Sequence, residues 1–266
     1  MSALQVNKAV LMNCVGKLPF LGNSLRRAAR FYREGSTVTI RNGYLAGYRW
    51  KRSHRYVSGY WLGTYELPVQ QCLCRELHPG DVFYDIGANA GFFSLVAAKC
   101  VGDRGHVFAF EPLPENAEMI RYQFELNELT NSTLVDAAVS DCAGKVEFSY
   151  GRDASTAHMT AVREGLGPSL TINAITVDEF AQSHPVPDFV KIDVEGAEAM
   201  VLRGASHVLQ GDQRPRILVE FHSDALAQEC CGLLRASHYT LLGLKRDIIC
   251  ATNLPHHVLA LPAALT

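Results

Sequence analysis

The sequence lacks the features of a zinc-bound, disulfide-rich or membrane-spanning protein. Its eight cysteines include no C-x-x-C pair, which disfavours the common zinc spacing and leaves reduced thiols as the expectation. No apolar run approaches the length of a membrane span, and the early stretch AVLMNCV is short for the apolar core of a secretion signal. These absences predict a soluble, unsecreted protein of the cytoplasm.

The sequence also has no excess of charge of one sign. It contains 25 basic and 27 acidic residues, for a net charge of -2 and an isoelectric point near 6.5. This balance gives no electrostatic reason to expect a nucleic acid as partner. A chain of 266 residues that is 48% hydrophobic can form one main domain with a small appendage. The sequence does not indicate an oligomeric state.

The first eighty residues predict an extension that precedes the main domain. Residues 2–33 place arginines among apolar residues at helical spacing, which predicts an amphipathic helix. Alternating strand formers on both sides of Asn42-Gly43 predict a hairpin at about 37–50, and YELPVQQCLCREL predicts a short helix. Pro79-Gly80 marks a boundary. The expected division is an extension of residues 1–79 and a main domain of residues 80–266.

Short apolar runs alternate with helix-compatible segments in the main domain. The runs are DVFYDIG, HVFAFEP, STLVDAAVS, DFVKIDVEG and RILVEFH. This alternation predicts an α/β fold with a parallel sheet that has helices on both faces. KVEFSY and SLTINAITVDEF predict an added edge pair of strands, and YTLLGLKRDIICAT predicts two strands joined by a turn at Lys245-Arg246. The polar segment 151–168 predicts a mobile loop, with His158 as a candidate for substrate contact.

The stretch DVFYDIGANAGFFSL runs from the first strand into a glycine-spaced turn, where open parallel sheets bind their ligands. It has neither the lysine nor the glycine spacing of a phosphate-binding P-loop. Its Gly87 and Gly91 also depart from the G-x-G-x-x-G pattern of dinucleotide-binding proteins. Asp85 at the strand end would repel a pyrophosphate and attract an ammonium group. The turn therefore favours S-adenosylmethionine over a nicotinamide dinucleotide.

Two further carboxylates follow the next strands. Glu111 ends the second strand, where it can accept hydrogen bonds from both hydroxyls of a ribose, although NAD-binding proteins also use an acid there. Asp136 ends the third strand and is placed to accept from an adenine amino group. A helix or turn cap is an equally good interpretation of Asp136.

Six motifs occur in an order that resembles the FkbM family of S-adenosylmethionine-dependent methyltransferases. They are GTYELP, PGDVFYDIGANAGFFSL, FAFEPLPEN, AAVSDCAGKVEF, ITVDEF and VKIDVEGAEAMVLRGA, and they extend from about Gly63 to His222. The resemblance implies a class I methyltransferase fold, Rossmann-like, with seven strands of which the last is antiparallel. It also implies methylation of hydroxyl groups on sugars, glycolipids or polyketide-type natural products.

The resemblance further implies a set of cofactor-binding residues. The residues of the glycine turn would lie at the methionine part of the cofactor. Glu111 would lie at its ribose, and Asp136 with Ala137 near its adenine. Glu66 of GTYELP, Pro112 of FAFEPLPEN and Asp193 of KIDVEGAE complete the set. The residues expected from the turn are Asp85, Gly87, Asn89 and Gly91.

The segment KIDVEGAE places several acids at the end of the fourth strand, facing an expected cationic cofactor. Methyl transfer to a hydroxyl benefits from a general base, for which Asp193 is the first candidate and His222 the second. Glu195 belongs to the same catalytic set, whereas Glu198 is explained by the helix dipole. A Mg²⁺ site built from Asp193, Glu195, Glu220 and His222 is possible but not favoured, because no spacing requires it.

The leading hypothesis is therefore an O-methyltransferase that acts on a small hydroxylated molecule and needs no metal. Two alternatives stay open: a nicotinamide-dependent oxidoreductase on a similar sheet, and a methyltransferase-like binding module without catalysis. The segment GYRWKRSHRY mixes arginines with aromatic residues, so it could bind phosphate or rings. The solvated face of a hairpin is the favoured interpretation of that segment.

Overall fold

The computed structural model describes residues 32–149, 169–249 and 254–263. The segment 151–168 with His158, and nearly all of the helix expected at 2–33, lie outside these residues. The strands are β1 Thr37–Thr39, β2 Arg49–Lys51, β3 Val82–Ile86, β4 His106–Phe110, β5 Ser132–Val135, β6 Ala138–Val139, β7 Gly144–Ser149, β8 Ser169–Ile175, β9 Phe189–Ile192, β10 Arg216–Glu220, β11 Tyr239–Leu242 and β12 His257–Pro262. The helices are α1 Gly59–Leu62, α2 Leu67–Glu76, α3 Phe92–Val101, α4 Pro114–Leu126, α5 Val177–Phe180, α6 Glu198–Arg203, α7 Ser206–Gln210 and α8 Asp224–Ala236.

Seven strands form the central sheet in the order β11-β12-β10-β9-β3-β4-β5. The pairs among β10, β9, β3, β4 and β5 are parallel, and β12 is antiparallel to both of its neighbours. The inner strands are apolar along nearly their whole length because both faces of a parallel sheet are covered. These pairings confirm the expected α/β sheet with an antiparallel last strand.

The strand order reverses between β3 and β9. The chain moves from β3 through β4 to β5 on one side, and later from β9 to β10 on the other. Loops that leave two such strands diverge, and a crevice opens beyond their carboxyl ends. This point of the sheet is where the glycine turn after β3 lies.

Helices on both faces of the sheet divide the core into two large buried clusters. Tyr84 and Ile86 of β3 pack in one cluster with residues of α6 and α8. Phe83, on the opposite face, packs in the other with α3 and with residues of the extension. Because neighbouring residues of a strand face opposite ways, a single strand contributes to both clusters. In the described part of the chain, no helix has the length and apolarity to cross a membrane.

The described part of the extension packs directly on the main domain. Strands β1 and β2 pair antiparallel, with Thr37 opposite Lys51, which confirms the expected hairpin. Its connection is a wider loop than a two-residue turn, closed by hydrogen bonds from the Ile40 amide to the Tyr48 carbonyl and from the Gly47 amide to the Ile40 carbonyl. Trp50 is 1% exposed and lies 6.0 Å, centroid to centroid, from Phe92 of α3. The extension therefore shares a hydrophobic core with the sheet.

Two segments depart from expectation. The strands β7 and β8 pair antiparallel as expected, but with β6 they form a separate three-stranded sheet. After the turn at Lys245-Arg246 the expected second strand is wrong for the described residues 247–249, which form a single bridge, Leu242 to Ile248. Ile248 is 87% exposed, so burial does not hold a strand there. The antiparallel partner of β11 is β12, whose central residues are fully buried.

Candidate active site

A cavity of about 220 Å³ lies beyond the carboxyl ends of β3, β4 and β9. The glycine turn after β3, Glu111 after β4 and Asp193 after β9 line it, and the extension also contributes lining residues. These side chains meet because the carboxyl ends of parallel strands lie at the same edge of a sheet.

The glycine turn has a left-handed backbone at three of five successive positions. Gly87, Asn89 and Gly91 have φ values of 82°, 51° and 81°. A Cβ atom on Gly87 would lie 1.9 Å from the carbonyl oxygen of Asp193, so the loops after β3 and β9 are in direct contact. Glycine at position 87 is thus required by backbone packing as well as by conformation.

Glu111 is 4% exposed and its carboxylate is held by three donors. The Asn89 amide donates to Oε2 at 2.8 Å, and the Leu113 amide and the Asn116 side chain donate to Oε1 at 2.9 and 3.2 Å. Burial raises the pKa of Glu111 to about 7, although the three hydrogen bonds oppose the rise. A carboxylate offers about four acceptor positions, so Oε2 retains capacity for a ligand hydroxyl.

Two buried oxygens near the turn have no hydrogen-bond partner among the described residues. They are Oδ1 of Asn89, a residue that lines the cavity, and Oδ1 of Asp85. The other Asp85 oxygen accepts from Ser94 at 2.6 Å. A buried acceptor without a donor costs free energy, so the Asn89 oxygen is a position where a ligand donor would be stabilising. Asp85 itself does not line the cavity.

Lys191 of β9 joins two of the expected site residues. Its ammonium lies 3.0 Å from Oδ2 of Asp193 and 3.9 Å from Oδ1 of Asp85. Burial would lower the pKa of Lys191, but the two carboxylates outweigh burial and raise it. For the carboxyl group of Asp85, burial raises the pKa, and the Lys191 charge and the Ser94 hydrogen bond oppose the rise. The ammonium therefore stays charged and neutralises part of the acidic site.

His222 lies among three carboxylates. Its Nδ1 is 2.7 Å from Oε1 of Glu198, and its Nε2 is 3.3 Å from Glu195 and 3.7 Å from Asp193. The hydrogen bond to Glu198 raises the pKa of His222 to about 9, despite an opposing effect of burial. At neutral pH the imidazole is therefore protonated. Glu198 itself is fully buried and also accepts from the Gly196 amide, so its role extends beyond the helix dipole.

The four residues considered for Mg²⁺ do not all converge. The register of β10 with β12 places Glu220 opposite His257, and their side chains approach to 3.1 Å. Glu66 joins this pair, with its carboxylate 3.7 Å from His257, instead of lining the cavity. Burial would lower the pKa of His257, but the neighbouring carboxylates of Glu220 and Glu66 outweigh burial and raise it to about 9. The protonated imidazole of His257 forms ion pairs with both carboxylates, and these ion pairs hold the second cluster together.

Ala137 and Pro112 line the cavity, whereas Asp136 does not. The amide of Ala137 donates to the Val135 carbonyl in a tight turn, and the Asp136 side chain, 55% exposed, forms an ion pair with Arg121 of α4. The expected contact of the Asp136 carboxylate with an adenine is therefore not supported by its position.

Sequence reasoning missed the wall that the extension contributes. Arg55, Tyr56, Tyr60 and Tyr65 line the cavity, and Lys191 was also overlooked. The mixture of arginines and aromatics in GYRWKRSHRY was the available signal for the first two, although the favoured interpretation was a solvated hairpin face.

The order of the strands, with β12 antiparallel between β10 and β11, and the acidic cavity at the switch point define a class I methyltransferase.

The profile of the methyltransferase FkbM domain matches residues 85–261, well over half of the chain. The chain belongs to the FkbM family of methyltransferases, a class that uses S-adenosylmethionine as methyl donor. The hexuronic acid methyltransferase AglP of Haloferax volcanii is 30% identical over 64% of this chain and 67% of the relative. The 31-O-demethyl-FK506 methyltransferase FkbM of Streptomyces tacrolimicus is 30% identical over 73% of this chain and 87% of the relative.

A crystal structure of methyltransferase FkbM from Methylobacillus flagellatus superposes with a TM-score of 0.47 at 13% identity. The match covers 79% of this chain and 63% of that one.

Proposed function

We propose that this chain transfers a methyl group from S-adenosylmethionine to a hydroxyl group of a small, hydroxyl-rich molecule. The observation that carries the proposal is the meeting of Asn89, Glu111, Asp193 and Glu195 in one cavity at the switch point of the sheet. These side chains present acceptor oxygens, which suit a ligand with an ammonium, a sulfonium and ribose hydroxyls. They would repel the pyrophosphate of a nicotinamide dinucleotide.

Residues of the cavity would hold the cofactor at its ribose and at its methionine part. Glu111 would accept from the ribose, and the free oxygen of Asn89 would accept from a donor of the methionine part. The backbone around the ligand would be shaped by Gly87, Gly91, Pro112 and Ala137. Asp85 would act indirectly, through its ion pair with Lys191. When bound, S-adenosylmethionine supplies an electrophilic methyl group on a positively charged sulfur.

Asp193 is the group that would take the proton of the acceptor hydroxyl. As the oxygen–methyl bond forms and the methyl–sulfur bond breaks, the hydroxyl proton would pass to the Asp193 carboxylate, which lines the cavity. His222 already holds a proton at neutral pH and cannot accept another. It would instead orient Asp193 and Glu195, which both lie within 4 Å of its Nε2.

The names of the two relatives support a sugar-type or polyketide-type acceptor. One acts on a hexuronic acid and the other on a demethylated FK506.

We also propose that residues 1–79 form an extension of the catalytic domain at 80–266, since residues 55–65 supply one wall of the cavity.

Methyl transfer can be tested with S-adenosylmethionine carrying a tritiated methyl group. The protein is incubated with uronic acids, neutral hexoses, glycolipids and macrolide alcohols, and both labelled product and S-adenosylhomocysteine are measured. Asp193→Asn should lower the rate by about 100-fold or more, the usual contribution of a general base. Asp103→Asn, at an exposed loop position, should have wild-type activity. Binding of the cofactor without turnover on any acceptor would favour a non-catalytic module.

The reaction is proposed to need no metal. Asp193, Glu195 and His222 place one ligand atom each within 4.8 Å of one another, which suits a divalent cation in number and type. However, Lys191 already neutralises Asp193, and His222 would have to lose its proton to bind a metal. Activity should therefore be unchanged by chelation and by added Mg²⁺. A loss on chelation that Mg²⁺ restores would contradict this part of the proposal.

A further inference from the structure

A residue of the extension is connected by hydrogen bonds to the carboxylate proposed to bind the ribose. The hydroxyl of Tyr56 donates to Oδ1 of Asn116 at 2.8 Å. The amide nitrogen of the same Asn116 side chain donates to Oε1 of Glu111 at 3.2 Å. Asn116 is 3% exposed and Glu111 is 4% exposed, so water has little access to compete for these bonds. The three side chains form a continuous chain from the extension to the cofactor cavity.

The direction of the first hydrogen bond determines the orientation of the second. An asparagine amide has one accepting and one donating end. Because the Tyr56 hydroxyl donates to the oxygen, the nitrogen points toward Glu111. If the amide turned over, its oxygen would face the Glu111 carboxylate and the two acceptors would repel each other. Burial raises the pKa of Tyr56 to about 12, so its hydroxyl retains the proton across the neutral range.

The Asn116 donor matters because Glu111 is close to its neutral form. Burial raises the pKa of this carboxyl to about 7, and the repulsion of Asp85 adds to the rise. The donors Leu113, Asn116 and Asn89 favour the ionised form. The charged groups around Tyr56 are Arg55, Glu111, Glu115 and Glu118. Loss of one donor therefore favours the neutral acid, a weaker acceptor for a pair of ribose hydroxyls.

We propose that Tyr56 is a positioning residue of the cofactor site, which acts through Asn116 to hold the Glu111 carboxylate ready for the ribose hydroxyls. The proposal rests on the proposed function, since it takes Glu111 as the ribose-binding group. It assigns the extension a direct part in cofactor binding, beyond its packing on the sheet. It also connects residues 60 positions apart in the sequence.

The experiment is calorimetric titration of Tyr56→Phe with S-adenosylhomocysteine at several pH values from 6 to 9. At pH 7 the variant should bind about three- to tenfold more weakly than wild type, the usual effect of one hydrogen bond. The pH at which binding weakens should also move upward, because Glu111 would be protonated over a wider range. Tyr48→Phe is the matched control, at a half-buried tyrosine of the extension that does not line the cavity, and should bind as wild type.

A double-mutant cycle separates positioning from direct contact, since Tyr56 itself lines the cavity. Asn116→Ala should weaken binding and shift the pH profile upward, and adding Tyr56→Phe should then change affinity less than twofold. Equal losses from Tyr56→Phe in both backgrounds would overturn the proposal, as would wild-type affinity and pH profile in Tyr56→Phe. Melting curves without ligand verify that the variants fold. Failure of the wild type to bind would instead count against the proposed function, from which this proposal follows.

Discussion

The protonation state of His222 is determined by the carboxylates around it. Glu198 contacts one ring nitrogen at 2.7 Å, and Glu195 and Asp193 face the other. The pKa of His222 rises from 6.5 to about 9 as a result. Its ion pairs therefore stabilise the fold fully below pH 6.5, and this contribution is lost as pH rises through about 9. An imidazolium at neutral pH is a donor, which leaves Asp193 as the proposed proton acceptor.

Replacement of Glu198 by glutamine should lower the pKa of His222. The amide keeps the shape of the side chain but removes the charge that favours the imidazolium. We expect the ring-proton resonance of His222, measured by NMR, to titrate near pH 9 in the wild type and closer to 6.5 in Glu198→Gln. Glu229→Gln, at a partly exposed carboxylate paired with Arg203, is the control and should leave the titration unchanged. A wild-type midpoint near 6.5 would contradict this account of the cluster.

At the scale of elements, the contact between the loops after β3 and β9 determines the shape of the site. The Asp193 amide donates to the Ile86 carbonyl at 3.0 Å, and a Cβ atom on Gly87 would overlap the Asp193 carbonyl. The glycine turn and Asp193, the proposed general base, are therefore held together by backbone contact. This arrangement fixes the positions of both loops without depending on a ligand.

Gly87→Ala should destabilise the fold more than an alanine at a comparable open position. Gly35 also has a positive φ, of 74°, but the nearest atom to a Cβ there is the Lys51 Cε, at 4.0 Å. Both variants cost about 1 kcal/mol from the left-handed backbone, and Gly87→Ala should cost about 1–3 kcal/mol more from overlap. Urea unfolding of both variants measures the difference. Equal free energies of unfolding would show that the two loops can separate at little cost.

At the scale of the whole molecule, the described extension and the sheet share one core. Trp50 is buried against Tyr60 and Phe92, which join the extension to α3. Aromatic clusters of this kind provide much of the free energy of burial in a domain. The extension is therefore expected to fold together with the catalytic domain, although the sequence places a boundary near residue 80.

Trp50→Ala should destabilise the whole protein in one cooperative transition. Removal of a buried tryptophan costs about 3–5 kcal/mol, and a shared core transmits that loss to the sheet. Thermal unfolding followed by far-ultraviolet circular dichroism and by tyrosine fluorescence should give coincident curves at a lower midpoint. Ile248→Ala, at an exposed position, should unfold as wild type. A separate early transition, with the sheet unfolding at the wild-type midpoint, would mean that the extension folds independently.

Much of the sheet and of the proposed cofactor cavity can be predicted from local sequence, because each buried parallel strand is an apolar run that ends at a polar turn. Asp85, Glu111 and Asp193 were placed at strand ends in this way, and the structure shows Glu111 and Asp193 in the cavity lining. The pairing of Glu220 with His257 was not, since it depends on the register of strands that are distant in sequence. The last strand was misplaced for a related reason: the apolar runs at Ile248 and at Val258 look alike, and only burial distinguishes them.

The central claim is that the acidic cavity binds S-adenosylmethionine, and calorimetric titration of the purified protein tests it most directly. The wild type should bind S-adenosylmethionine and S-adenosylhomocysteine but not NAD. Glu111→Gln should weaken binding of both by about tenfold or more, because it removes the charge that accepts the ribose hydroxyls. Binding of NAD without binding of either adenosyl ligand would contradict the account.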